Sequence, residues 1–196
     1  MFNEGSQLNP ISLYAQCKIQ SEKVILSFSD KKNFFPTILR LATVFGESFR
    51  PRFDLVVNLL TAKAIIDKEI TVHGGEQWRP FISVDDVTRA IMTCLSLPAD
   101  LVGGEIYNTG DRDLNYQIID VGKTVSERHP AAKLIIDQNA DDRRNYFVDF
   151  GKIESQLGFR CDTNLARGVS EVSQMIERLE LRAYHERRFH NLLTLS

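Results

Sequence analysis

Cysteine is the scarcest reactive residue in this chain: Cys17, Cys94 and Cys161 are the only three among 196 residues. An odd set so widely spaced excludes a disulfide framework and a thiolate zinc site, and fits a reducing, cytoplasmic setting. Long apolar runs are missing too; none approaches the roughly 20 residues of a membrane span. The opening residues Met1 to Gly5 have neither the basic start nor the apolar stretch of a signal peptide. Excess charge of one sign is also absent, since 24 basic against 26 acidic side chains leave a formal net charge of −2. With no basic stripe interleaved with aromatics, no nucleic acid and no anionic membrane is expected as a partner. His185 and His190 are one residue too far apart for HExxH and diverge around a helix, so no metal site is expected.

Glycine has the most consequential gap. None of the 11 glycines builds GxGxxG or GxxGxxG after a strand. A dinucleotide fold uses that turn to bring backbone against a pyrophosphate at a helix N-terminus.

What is present alternates between two periods. Helical patterns cover residues 12–29 (capped by Ser12 or Asn9), 54–66 (Asp54 as cap), 84–97, 115–128, 152–157 and 164–181. Ser83 and Asp86 form a capping box ahead of the third of these, and Gly158 closes the fifth as a C′ glycine. β-rich runs cover 35–41, 70–72, 105–108 and 133–136, and the charged stretch 182–196 is helical in pattern. Strands alternating with helices predict an α/β fold.

One pair carries chemistry. Tyr14 and Lys18 are four residues apart, which puts them on one helix face a turn apart. A phenol is a poor base at neutral pH, and a neighbouring ammonium favours its ionised form. Such a pair can exchange a proton with an alcohol or ketone while hydride moves to or from a nicotinamide. YxxxK alone is also a common spacing on ordinary helices.

The surroundings add weight. Glu4 … Pro10-Ile11-Ser12-Leu13-Tyr14 … Lys18 is followed by Leu39-Arg40-Leu41-Ala42-Thr43-Val44-Phe45-Gly46. Then come Gly74-Gly75-Glu76-Gln77-Trp78-Arg79-Pro80-Phe81-Ile82-Ser83-Val84-Asp85-Asp86 and Tyr107-Asn108-Thr109-Gly110. Up to about Phe159 this order resembles the extended short-chain dehydrogenase/reductases, in particular the NAD-dependent nucleotide-sugar epimerases and dehydratases. The resemblance implies the C-terminal part of a Rossmann-type parallel sheet plus the small α/β substrate-binding domain. Residues 1–50 would end the NAD-binding domain, and 51–181 would be mostly substrate-binding domain. Residues around 80–110 would return to the Rossmann part, with 182–196 as a helical tail.

The resemblance also implies roles. Tyr14 would be the catalytic tyrosine, and Lys18 the lysine that holds the nicotinamide ribose. Leu41 and Val44 would lie along the cofactor, and Thr43 and Asn58 on the substrate side. Arg79 would bind the nucleotide diphosphate, with Arg144, or Arg143 beside it, facing the same group. Blander alternatives stand next to these: Arg79 stacked on the Trp78 indole, Asn58 on a polar helix face, and Arg143–Arg144 in a solvated charge cluster.

Three positions depart from the family pattern: Cys17 where serine is usual, Thr43 where asparagine is common, and Pro80 where aspartate follows the arginine. Cys17 reads as a small, partly buried residue. The implied cofactor is NAD, with NADP open, and the substrate a nucleotide sugar. The chain begins about where the second half of such an enzyme would begin. Weak NAD binding by the chain alone is therefore expected, with a homodimer or a complementing Rossmann half as partner. The rival expectation is a non-catalytic remnant that keeps only a binding surface.

Overall fold

The computed structural model describes residues 1–29, 33–137 and 145–191. Its elements run α1 (Leu13–Leu26), β1 (Ile38–Leu41), β2 (Thr43–Phe45), α2 (Val56–Ile66), β3 (Glu69–His73), β4 (Trp78–Ser83) and α3 (Val84–Ser96). They continue with α4 (Ala99–Val102), β5 (Ile106–Thr109), β6 (Asn115–Gln117), α5 (Ile118–Arg128), β7 (Lys133–Asp137), α6 (Gly151–Leu157) and α7 (Leu165–Arg178). This is a mixed α/β structure.

The strands form three small sheets among the described residues. β1 pairs in parallel with β5, Ile38 opposite Ile106, and β3 pairs in parallel with β7, Ile70 opposite Leu134. β2 runs parallel to β4, which on its other side pairs antiparallel with β6. Parallel pairs need crossovers, and helices supply them.

Among the described residues the core falls into three apolar clusters. Tyr107, Ile82, Ala90, Phe150 and Ile153 pack around β1 and β5. Val57, Leu60, Ile70, Val72, Val121, Val125 and Val169 join α2, α5 and α7 over β3. A third cluster, Phe53, Val172, Met175, Ile176 and Phe189, lies between α2, α7 and the segment after α7.

Local signals place most element ends. Ser12 caps α1, its Oγ accepting the Ala15 N–H at 3.2 Å, and Asn164 caps α7 through the Arg167 N–H at 2.9 Å. Gly158 ends α6 in the left-handed region at φ 63°, where glycine has no steric penalty. The Ser83 hydroxyl accepts from the Asp86 N–H and donates to the Asp86 carboxylate, a closed variant of the capping box.

Four expectations need correction. Asp54 does not cap α2: its carboxylate is held by the Arg52 guanidinium at 2.7 and 3.0 Å, and Leu55 occupies the cap with no side-chain hydrogen bond. Residues 115–117 are not the start of a helix but strand β6. There the Asn115 side chain bonds the backbone of Val148 and Arg112 instead of capping α5.

Residues 182–190 are not helical, save for a 3-10 turn at Arg187–Phe189; Asn191 is helical, and the rest of the expected tail lies outside the described residues. Glu180 enters the left-handed region at φ 48°, and the Glu180 and Leu181 N–H groups bond back to Glu177 and Ile176. That double closure ends α7 as a Schellman motif with glutamate where glycine is usual. Finally, Cys17 is exposed, because α1 buries none of its residues.

Candidate functional site

A cleft of about 300 Å³ opens between α2, β3 and β4. Thr43, Asp54, Val56, Lys63, His73, Arg79 and Tyr146 are among the residues that line it. Arg79 is buried, 6% exposed, on β4. Its Nη1 donates to the Trp78 carbonyl at 2.7 Å and its guanidinium lies 5.1 Å from the Tyr146 ring centre. The arginine thus stacks on Tyr146, while the Trp78 indole packs edge-on against Phe147 at 5.3 Å. Stacking fixes a planar cation in one orientation, which suits a bidentate oxyanion partner.

The opposite wall is the first turns of α2. Leu55 and Val56, at the start of this helix, line the cleft, and no side chain caps the helix there. The Asp54 carboxyl is also there. Burial pushes it up, but hydrogen bonds and charge from Arg52 outweigh that and hold it below the ordinary carboxylate range.

A second, smaller cavity of about 200 Å³ shares Thr43 and Tyr146 with the cleft, and adds Leu41, Pro80, Asn108 and Phe150. Thr43, Arg79 and Leu41 are therefore brought together in two adjoining cavities. Val44 is placed elsewhere, half-buried against the Ile82–Tyr107 cluster. Asn58 is buried, its amide bonding Gly46 N–H and O and the Arg52 carbonyl. It pins the loop before α2 and does not line the cleft. Arg143 and Arg144 lie outside the described residues.

Tyr14 and Lys18 are adjacent on α1, with the ammonium 5.5 Å from the ring centre. Both are exposed, Tyr14 at 72%, and neither lines either cavity. α1 is joined to the rest by the Glu22–Arg40 ion pair at 2.7 Å. Glu4, just ahead of it, accepts the Asn108 N–H of β5 at 2.8 Å and gives its carbonyl to Arg40. Lys63, His73 and Tyr146 were not singled out by sequence as site residues; α2 brings in Lys63, β3 His73, and Tyr146 is held by its N–H on the Trp78 carbonyl of β4.

Parallel α/β pairs with a YxxxK helix beside them define a Rossmann-type short-chain dehydrogenase/reductase architecture. The chain belongs to the NAD dependent epimerase/dehydratase family, whose model matches residues 2–110. The uncharacterized UDP-glucose epimerase YtcB of Bacillus subtilis is 27% identical over 171 residues, 86% of this chain and 52% of that protein. A solved NAD-dependent NDP-hexosamine 5,6-dehydratase, TunA, is 25% identical with a TM-score of 0.73, covering 89% of this chain and 57% of its own. UDP-glucuronic acid 4-epimerase of Bacillus cereus, solved with UDP-glucuronic acid and NAD, shares the fold at a TM-score of 0.75 and 23% identity, over 90% of this chain and 56% of its own. The chain spans about half the length of the curated relatives it matches. Among the described residues no helix is long and apolar enough to cross a membrane.

Proposed function

We propose that the chain supplies the substrate side and the YxxxK helix of an NAD-dependent nucleotide-sugar epimerase or dehydratase, a cytoplasmic enzyme working through a keto-sugar. The cleft takes the nucleoside diphosphate. The observation that carries this reading is Arg79, a buried guanidinium stacked on Tyr146 in a cleft that the uncapped start of α2 also lines. Both features stabilise phosphate oxygens. Arg144, or Arg143 beside it, would add a cation to the same group. Thr43 and Leu41, in the adjoining cavity, face the sugar and the cofactor.

The residues present fit one end of NAD and not the other. Tyr14 and Lys18 suit the ribose and nicotinamide, the lysine holding ribose hydroxyls. No glycine turn for the pyrophosphate exists in the 196 residues. Bound NAD, or NADP, would supply the hydride acceptor and donor. Tyr14 would take the proton of a sugar hydroxyl as its carbon becomes a ketone, and return it on reduction; Lys18 would favour the ionised phenol. Catalysis then requires a Gly-rich cofactor-binding half alongside this chain.

An apolar groove of about 520 Å³ between β1 and α3, lined by Phe35, Leu39, Leu41, Ile91 and Leu95, supports such a partner. In this reading residues 1–50, with about 80–110 returning to them, belong to the Rossmann part and the rest of 51–181 mostly to the substrate part. The exposed apolar side chains Leu13, Val24 and Ile25 on α1 fit a homodimer through that helix. A second reading, a binding module without turnover, is favoured by one observation: Tyr14 and Lys18 line neither cavity.

Calorimetric titration with UDP, of the wild type and of Arg79→Ala, tests the cleft. The wild type should bind and the variant should lose about tenfold or more, as for a lost charge-assisted hydrogen bond. Equal affinity in the two proteins would overturn the reading.

A further inference from the structure

The segment after α7 has no counterpart in the chemistry above, yet it touches both ends of the cleft's helical wall. We propose that residues 181–190 act as a clamp that holds α2 in place and so sets how tightly the cleft binds. The inference rests on the nucleotide reading of that cleft.

The clamp begins at the Glu180 turn, which sends the chain back across α2. At the far end of α2, the Tyr184 hydroxyl donates to the Asp67 carboxylate at 2.6 Å, one residue past the helix. At the near end, the Phe189 carbonyl accepts the Phe53 N–H at 3.2 Å, and the two rings meet edge-on at 5.3 Å. Arg50 adds two bonds, Nε to the Arg188 carbonyl at 3.2 Å and Nη1 to Asn191 at 3.1 Å. His190 closes the segment on itself, its Nε2 lying 3.0 Å from the Tyr184 carbonyl. Phe53 is fully buried and Phe189 nearly so, within one cluster that also holds Val172 and Ile176 of α7.

Between the two grips lie Asp54, Leu55, Val56, Leu59, Leu60 and Lys63, the α2 wall of the cleft. The start of α2 has no cap of its own, and Asp54 is turned aside to Arg52. Its position must then come from outside the helix. Asn58 fixes the loop at Gly46 and Arg52, and the clamp fixes Arg50, Phe53 and Asp67. A shift of about 1 Å in a binding wall can cost on the order of a hundredfold in a positioned interaction. The clamp reaches the cleft only through α2, so Tyr184 and Phe189 are positioning residues.

The test uses the whole chain with Tyr184→Phe, Phe189→Ala and Phe189→Leu. Three measurements are made: UDP titration, hydrogen exchange at the amides of residues 53–67, and thermal melting. Tyr184→Phe removes one hydroxyl and leaves Asp67 in solvent, so the fold is retained. It should speed exchange near Asp67 and weaken UDP several-fold with little change in melting. Phe189→Ala should speed exchange from Phe53 onward and weaken UDP by about tenfold or more, and Phe189→Leu should restore most of both. Faster exchange with wild-type UDP affinity would overturn the clamp, as would unchanged exchange in both Tyr184→Phe and Phe189→Ala. If the wild type bound no UDP, the nucleotide reading would fall and with it the effect on binding, while faster exchange at 53–67 in the variants would still show that the segment holds α2.

Discussion

Arg40 grips the Glu22 carboxylate through Nε and Nη2, with contacts of 2.7, 2.9 and 3.2 Å, and so ties the helix of Tyr14 and Lys18 to strand β1. The two side chains are about one-fifth exposed, 20% and 17%, so water screens this pair only in part. No residue of α1 is buried, so apolar packing offers the helix little else.

Arg40→Lys should therefore undock α1 locally. Lysine keeps the charge but cannot form the planar fork. The expected loss is about 1–2 kcal/mol of docking, seen as faster amide exchange and proteolysis within residues 13–26. The main melting transition should hardly move, because the apolar clusters are elsewhere. Unchanged exchange in α1 would show that the fork does not hold the helix.

Gly168 and Phe45 define the tightest approach of α7 to the β2 strand. A Cβ at Gly168 would lie 2.0 Å from Phe45 Cε2, and Phe45 is 1% exposed with no room to retreat. In an open helix Gly→Ala stabilises by about 1 kcal/mol. Here the sign should reverse: overpacking of this kind costs about 1–3 kcal/mol, or roughly 2–12 °C of Tm in a chain of this size. A Gly168→Ala variant as stable as wild type would contradict the packing.

Asp86 sets an acid limit. Burial pushes its carboxyl up, but the Asp162 N–H, the Ser83 hydroxyl, Arg89 and the Thr163 N–H outweigh that and hold it below the ordinary carboxylate range. Those bonds join the start of α3 to the segment leading into α7. A carboxyl whose folded-state pKa is depressed binds more protons when unfolded. Its stabilisation is therefore complete above about pH 4, the unfolded value, and is lost as pH falls through the lower folded value. Asp86→Asn should lower stability at neutral pH, since an amide nitrogen cannot accept from these donors, and should flatten the acid limb of the stability curve. An acid limb of unchanged steepness would remove Asp86 from the account.

How far sequence carries depends on whether the deciding contact is local. Ser12, Asn164 and Gly158 act within one helical turn, and each end was legible from the residues beside it. Residues 115–117 read as the start of a helix but form β6, because Asn115 bonds the backbone of Val148 and Arg112 and the strand pairs with β4. Glu180 hid the end of α7, since glutamate rarely adopts the left-handed turn that glycine announces. In the site, Arg79 and Thr43 were marked by motif order, whereas Lys63 and His73 join them only through the placing of α2 and β3, and Tyr146 through its backbone bond to Trp78. Asn58 carried a motif position, yet its amide is engaged by the Gly46 and Arg52 backbone.

The roles given to Tyr14, Lys18 and Arg79 separate in kinetics. Alone, the chain should bind NAD weakly or undetectably; a micromolar dissociation constant corresponds to about −8 kcal/mol, more than a ribose and nicotinamide contact without a pyrophosphate cradle would supply. Turnover is read in an enzyme that joins this chain to a Gly-rich cofactor-binding half. There Tyr14→Phe keeps the ring but loses the exchangeable proton, and the rate should fall about 10²–10⁴-fold with substrate affinity little changed. Lys18→Met should lower the rate and also weaken cofactor binding, since the ammonium serves both. If Arg79 holds the diphosphate equally in ground and transition states, Arg79→Ala should raise KM more than it lowers kcat. Steady-state kinetics of the three variants decides the matter. Unchanged kcat in Tyr14→Phe, with kcat abolished at normal KM in Arg79→Ala, would leave α1 as scaffold and move the chemistry to the cleft.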